Sequence, residues 1–331
     1  MKPRMQAVIG QELGTSACFE RVEVDTPQPG TGEVLLQVLV AGMGYVDALV
    51  AQGRYQVKPP VPYCPSLEFA GRVVALGADV EGLAEGDIVA AAAFGGGLAE
   101  YAVVPAKAVQ VLPPELDLEA AAGFIVNYTT AWHGLLDRGH LRAGERVLVL
   151  GAAGGTGIAA IQVAKLAGAH VIAGASTPKK REYAQRHGAD QVIDYDQPEW
   201  RKTLKEMTNG RGVDVVFDPV GGELLEPAFR SLAWRGRHLV IGFVGGEIPA
   251  LPVNLALLKG ASLVGVDYRQ FSSVYEPEGA ELIREQLFAA VANGELKPAV
   301  GAAFEFADFR SAMDLAASRD GVGKTVVMIS S

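Results

Sequence analysis

The sequence predicts an α/β protein of two domains, and three observations carry that expectation. From about Gly144, apolar strands alternate with helical stretches: ERVLVLG, IAAIQVAKLAG, HVIAGA, KKREYAQRHGA, QVIDY, EWRKTLKEMTNG, VDVVFD, ELLEPAFRSLAW and RHLVIGF. This is the rhythm of repeated βαβ units around a doubly wound parallel sheet. Up to about residue 125 the pattern is instead one of short β-like runs at 33–40, 71–76, 87–92 and 98–104, broken by Pro and Gly. Finally, 331 residues exceed what one core accommodates at about 100–200 residues per domain.

The remaining elements follow in order. SLVGV from Ser262 reads as a sixth strand of the parallel sheet, EGAELIREQLFAAVANGEL as a long helix and FRSAMDLAAS as a further one, with a β-like stretch between them. The tail is expected to rejoin the first domain. The run 147–164 reaches the roughly 18 residues of a membrane span, yet it holds four glycines between 151 and 157 and so reads as strand, turn and helix. No apolar stretch of signal-peptide length precedes Glu12, and no period of 20 to 50 residues repeats.

Composition excludes several functions. With 49% hydrophobic residues, 20% charged residues and a net charge of −9, the chain is neither disordered nor a general binder of nucleic acid. Its two cysteines, Cys18 and Cys64, are too few for a disulfide framework or a four-thiolate zinc lobe, and they fit a reducing, cytoplasmic setting. Glycine accounts for 40 of 331 residues against a usual share of about 7%, which points to tight turns and a close approach of backbone to a ligand.

That approach is expected at GAAGGTG, residues 151–157, between the strand starting at Arg146 and a helix that Gly168 ends. Ala152, Gly154 and Gly157 give the AxGxxG form of the dinucleotide fingerprint. Gly154 and Gly155 let backbone amides reach a pyrophosphate, Gly157 lets the helix lie close to the strand, and the helix N-terminus attracts the anion. The plainer alternative is a Gly-rich turn before a core helix. At the end of the next strand, where an NAD enzyme places Asp or Glu, this chain has Ser176, Thr177, Pro178, Lys179, Lys180 and Arg181. Cations there oppose the helix dipole by about 0.3–1 kcal/mol each unless an anion sits among them. A ribose 2′-phosphate is such an anion, so NADPH is the expected cofactor; a solvated basic turn is the alternative.

Taken together, AGMGYVDALVAQGRYQ (41–56), PSLEFAGRVVALG (65–77), GDIVAA and GGLAEYAVVPA (near 86–106), NYTTAWHGL (127–135), AAGGTGIAAIQVAK (152–165) and VGKTVVMI (322–329) resemble the medium-chain dehydrogenase/reductase superfamily. Within it the chain is similar to the zinc-free NADPH:quinone oxidoreductases, the zeta-crystallin-like enzymes. The resemblance implies a GroES-like substrate domain built from 1–125 and 267–331, an inserted Rossmann NADP-binding domain at 126–266, and an active-site cleft between them. It also implies a homodimer joined through the sheet-edge strand at 263–266. The catalytic zinc ligands of the related alcohol dehydrogenases match Gly44, Leu67 and Val126 here, none of which binds metal. The five histidines, His133, His140, His170, His187 and His238, are scattered without ligand spacing. No metal site is expected.

Carried over by resemblance, Gly154, Gly155, Thr156 and Gly157 form the pyrophosphate loop, and Ser176, Lys180 and Tyr195 contact the 2′-phosphate and adenosine. Val220, Phe243, Gly265 and Val266 line the path to the nicotinamide, and Lys324 neutralises the pyrophosphate. Tyr55 and Thr130 are placed beside the nicotinamide on the substrate side, with Asn127 and Tyr128 as lining. Many members carry Asn where this chain has Gly44, so Tyr45 or Asn127 replaces that amide or the pocket is wider. The expected activity is hydride transfer from NADPH to quinones or to activated double bonds of α,β-unsaturated carbonyls. Reduction of a 2-enoyl-CoA or acyl-carrier thioester is the alternative, and a redox-silent NADPH-binding protein is the alternative of another class. Neither a nucleic acid nor a membrane is expected as a partner.

Overall fold

The structure, a computed structural model, describes residues 3–330. It forms two compact units: one runs to Val126 and resumes at Pro298, and the other spans Asn127–Lys297. In chain order the first unit supplies β1 (Arg4–Gly10), β2 (Phe19–Asp25), β3 (Glu33–Met43), β4 (Glu68–Leu76), β5 (Ile88–Ala92), β6 (Tyr101–Pro105) and β7 (Val109–Val111). The second supplies β8 (Arg146–Val149), β9 (His170–Gly174), β10 (Gln191–Ile193), β11 (Val213–Asp218), β12 (Leu232–Val240) and β13 (Ser262–Gly265). The chain then returns to the first unit as β14 (Val300–Glu305) and β15 (Lys324–Met328).

The first unit is the GroES-like one. Its main sheet has the order β14-β15-β3-β4-β5-β7 with β6 also on β3, while β1 and β2 pair separately. β3, EVLLQVLVAGM, is the long central strand, and β15 from the far end of the chain pairs with it antiparallel, Val327 opposite Ala41. Phe19, Phe69, Leu36, Met43 and Leu98 fill the core of this unit. The run expected at 98–104 starts as strand only at Tyr101. Leu98 makes loop bonds instead, donating its N–H to the Pro65 carbonyl and accepting from Val8 N–H.

The second unit is a Rossmann-like parallel sheet of order β10-β9-β8-β11-β12-β13. All six residues of β11, VDVVFD, are buried, as a strand covered by helices on both faces requires. The strand order reverses between β8 and β11, and in such sheets ligands bind in the crevice outside the carboxyl ends at that point. No helix among the described residues is long and apolar enough to cross a membrane.

The expected assignment of 267–331 to the first unit needs correction, because 267–297 stay with the second. The His133 ring stacks on Phe271 with centroids 4.2 Å apart. At the other end of this segment, Gln162 donates to the Lys297 carbonyl at 2.8 Å and accepts from the Lys297 N–H at 2.9 Å. These contacts are long-range in sequence and leave no local signal.

A bidentate pair locks the start of β8 to β12. Arg237 Nη1 and Nη2 donate to Glu145 Oε1 and Oε2, each at 2.8 Å. Burial pushes the Glu145 carboxyl up, but bonds from Arg237 and from the Arg142 N–H outweigh it and hold the group below its usual range. A depressed folded-state pKa stabilises the fold above the unfolded value near 4.3, and the contribution is lost as pH falls through the folded value. Glu145→Gln is therefore expected to cost about 1–2 kcal/mol at pH 7. Urea unfolding should show the gap to wild type closing below the unfolded carboxyl pKa; a gap independent of pH would contradict the assignment.

Candidate dinucleotide-binding site

The loop between β8 and the helix Gly155–Leu166 is shaped by contacts that a side chain would break. A Cβ on Gly157 would lie 2.4 Å from the Gly151 carbonyl oxygen, so glycine is what allows the helix to pack onto the strand. A Cβ on Gly155 would lie 2.8 Å from Asn127 Nδ2. At Gly154 the nearest atom, the Gly151 oxygen, is 3.5 Å away. Gly154 is the extended residue that opens the helix, and no side chain caps that end. Its first-turn N–H groups, aligned with the helix dipole, suit an anion.

Asn127 belongs to this loop. Its Oδ1 accepts from the Thr156 hydroxyl at 2.9 Å and the residue is buried. Its side chain thereby braces the glycine turn. Tyr128 is buried as well, donates to Gln162 Oε1 at 3.0 Å, and burial pushes its phenol well above the usual range. Thr130 is half-buried on the same helix, Ile125–Trp132.

At the end of β9 the chain turns into the helix Pro178–Arg186, which Thr177 caps by accepting from the Lys180 N–H at 3.3 Å. The carboxylate that follows β10, Asp194, is paired with Arg181 at 2.9 Å, and Arg181 also donates to the Ala175 carbonyl. Ser176, Lys179 and Lys180 line the turn, and Tyr195 lies against Gly174.

Two further loops meet at the carboxyl edge. Asp218, last in β11, accepts from the N–H groups of Val220 and Gly221 through Oδ1, both at 2.8 Å. Gly245 then donates to the Val220 carbonyl at 2.7 Å, which brings the loop bearing Phe243 alongside. The Val266 N–H bonds the Val240 carbonyl at 3.1 Å, and Arg138 Nε donates to the Gly265 carbonyl at 3.3 Å. The second unit thus collects the glycine loop, Val220, Phe243, Gly265 and Val266 along strand ends.

Tyr55 and Lys324 belong to the other unit. Tyr55 is half-buried against that unit's core, in the turn after the helix Tyr45–Ala51. Lys324, the cation expected to meet a pyrophosphate, is engaged within its own unit. Its buried ammonium is closely paired with Glu68 and lies 3.9 Å from Asp47 Oδ2. Burial works against its charge, but Glu68 and Asp47 outweigh that and push its pKa up, whereas burial raises the Asp47 carboxyl despite Lys324. The two carboxylates also hold the positions that match zinc ligands elsewhere. Asp47 accepts from the Gly44 and Leu67 N–H groups, both at 2.7 Å, and Glu68 accepts from Val126 N–H at 3.0 Å. A Cβ on Gly44 would lie 3.2 Å from Lys324 Nζ, so this ammonium crowds the position where relatives carry Asn.

The family model for the alcohol dehydrogenase GroES-like domain matches residues 30–114, and that for zinc-binding dehydrogenases matches 155–285. Together they cover both units with domains of the medium-chain dehydrogenase/reductase superfamily. A quinone oxidoreductase-like protein 2 homolog of Nematostella vectensis is 35% identical over 328 residues, covering 97% of this chain and 88% of the other. Among solved structures, a mycobacterial protein complexed with NADPH matches with a TM-score of 0.89 and 28% identity, covering 98% of this chain and 99% of the other. The CurK enoyl reductase matches with a TM-score of 0.88 and 25% identity, covering 99% of each. The chain belongs to the quinone oxidoreductase-like family of the medium-chain dehydrogenase/reductase superfamily.

Removing the shared cation should expose how the first unit is held. Lys324→Met strands two buried carboxylates and is expected to cost about 3–5 kcal/mol in urea unfolding. Adding Glu68→Gln should recover a large part. A single variant within about 1 kcal/mol of wild type would show that the pair contributes little.

Proposed function

We propose that the protein is an NADPH-dependent oxidoreductase that delivers hydride, without a metal, to a quinone or to the β-carbon of an α,β-unsaturated carbonyl. The observation that carries the reading is the uncapped helix N-terminus beside the open face of Gly154, at the point where the strand order reverses. The NADPH complex of the mycobacterial relative supports it. NADPH, when bound, supplies the hydride from its nicotinamide, and a proton completes the two-electron reduction of the acceptor.

The chain's own part is to bind and orient. The amides of Gly154, Gly155, Thr156 and Gly157 receive the pyrophosphate, with Asn127 bracing the turn. Ser176 and Lys180 receive the 2′-phosphate, and Tyr195 flanks the adenosine. The preference for NADPH is supported by Ser176 and Thr177 standing at the end of β9 where a carboxylate would hold ribose hydroxyls, and by the carboxylate after β10, Asp194, being paired with Arg181. Val220, Phe243, Gly265 and Val266 guide the nicotinamide half. Tyr55 and Thr130 supply hydroxyls on the acceptor side. Gly44, Leu67 and Val126 carry no side-chain lone pair, so a catalytic zinc does not fit these positions and no step runs through one.

Reduction of an enoyl thioester is the second reading, favoured by the NYTTAWHGL stretch and by the likeness to the CurK enoyl reductase. We also propose a homodimer joined at β13. It is the open edge of the parallel sheet, with Leu263 47% exposed, and Val253, Leu257 and Leu258 just before it are 85%, 80% and 69% exposed.

NADPH oxidation against 1,4-benzoquinone, 9,10-phenanthrenequinone, a 2-alkenal, acryloyl-CoA and crotonyl-CoA, repeated with NADH, tests the reading. Turnover of quinones or the alkenal with NADPH is expected, and Lys180→Ala should cut the preference for NADPH over NADH about tenfold, roughly 1.4 kcal/mol. A clear preference for a thioester moves the protein to the second reading; NADPH binding with no turnover on the panel would make it a redox-silent binder. Light scattering after size exclusion should give a dimer that Leu263→Lys converts to monomer, and a monomeric wild type would overturn the edge pairing.

A further inference from the structure

We infer that His238 is a positioning residue for the cofactor, acting through Asp218 on the loops that carry Val220 and Phe243. The inference rests on the reading that these loops hold a dinucleotide. His238 lies in β12 between β11 and β13, opposite Val216 on one side and Leu263 on the other, and is fully buried. Its Nε2 is 2.9 Å from Asp218 Oδ2, and Asp218 is 1% exposed. An ionised carboxylate only accepts, so this contact places the proton on Nε2. Nδ1 is buried without a hydrogen-bond partner, so the ring's one polar connection in the core is to Asp218.

Asp218 is where the two loops begin. Its Oδ1 takes the N–H groups of Val220 and Gly221, while its backbone carbonyl takes those of Ile241 at 3.0 Å and Gly242 at 3.4 Å. With Oδ1 on Val220 and Gly221, the other oxygen, Oδ2, meets His238 in β12, which donates to it. A buried carboxylate oxygen with no donor is costly, so an apolar residue at 238 favours rotation of the Asp218 side chain and releases the amides it holds. Val220, which Gly245 in turn bonds, then loses its place at the sheet edge. The Phe229 ring, its centroid 6.1 Å from that of His238, forms part of the pair's apolar surroundings.

His238→Leu removes the donor and His238→Gln returns an N–H. Amide exchange followed by mass spectrometry over peptides covering 219–224 and 241–246, without cofactor, reads the loops directly; fluorescence titration with NADPH reads the site. We expect His238→Leu to exchange at least fivefold faster in these peptides and to weaken NADPH binding about tenfold, with acceptor KM changed less than twofold and His238→Gln recovering most of both effects. Should His238→Leu not fold, His238→Phe carries the donor-free arm. Unchanged exchange in the donor-free variant, or a His238→Gln variant as impaired as His238→Leu, overturns the inference. So does faster exchange with NADPH affinity unaltered, since the role would then be structural only. A wild type that does not bind NADPH overturns the proposed function and, with it, the cofactor role of His238; the exchange arm then decides only whether His238 holds the loops.

Discussion

A single buried ammonium ties the two ends of the chain into one domain. Lys324 sits at the first residue of β15, and its partners Glu68 and Asp47 come from β4 and from the helix after β3. The same carboxylates take the N–H groups of Gly44, Leu67 and Val126, so four segments remote in sequence converge on one cation. Burying such a group is unfavourable unless charge and hydrogen bonds are both answered, and here Asp47 takes two backbone donors and Glu68 one, besides sharing the cation or its field. The surrounding glycines follow from this: a Cβ on Gly123 would lie 2.5 Å from Lys324 Cγ.

The parallel sheet solves a different problem with the same economy of contacts. Its central strands are buried on both faces, which leaves their carboxyl ends as the place where backbone donors are not spent inside the sheet. The turn after β8 leaves its helix end open, while the turns after β11 and β12 are knitted together by Asp218, Val220 and Gly245. One site therefore combines a rigid frame with unspent N–H groups, and that is what a dinucleotide needs from it.

Much of this was legible in the sequence because the signals are local. The βαβ rhythm, the AxGxxG spacing and the missing carboxylate after HVIAGA are each carried by neighbouring residues, and the six parallel strands fall where the apolar runs lie. The strand Phe19–Asp25 carries no clear local signal, being largely exposed with Arg21, Glu23 and Asp25 on one alternate set, and Arg4–Gly10, though mostly buried, pairs as a strand only with it. The protein partners of Lys324 and Asn127 are hidden from the sequence for a related reason. A lysine in VGKT and an amide in NYTT are chemically able to contact a ligand, and only the positions of Glu68 and Thr156 show that they are engaged by the protein itself.

By itself the sequence determined the two-domain α/β architecture, the order of strands and helices, the glycine turn and the chemical inability of residues 44, 67 and 126 to ligate a metal, because each of these depends on residue type and short-range spacing. Only the tertiary structure decided where the second unit ends, which carboxylates share Lys324, and that His238 reaches Asp218 across two strands. Those facts depend on which distant groups are brought within hydrogen-bond distance in a water-free interior, and no local pattern encodes that distance.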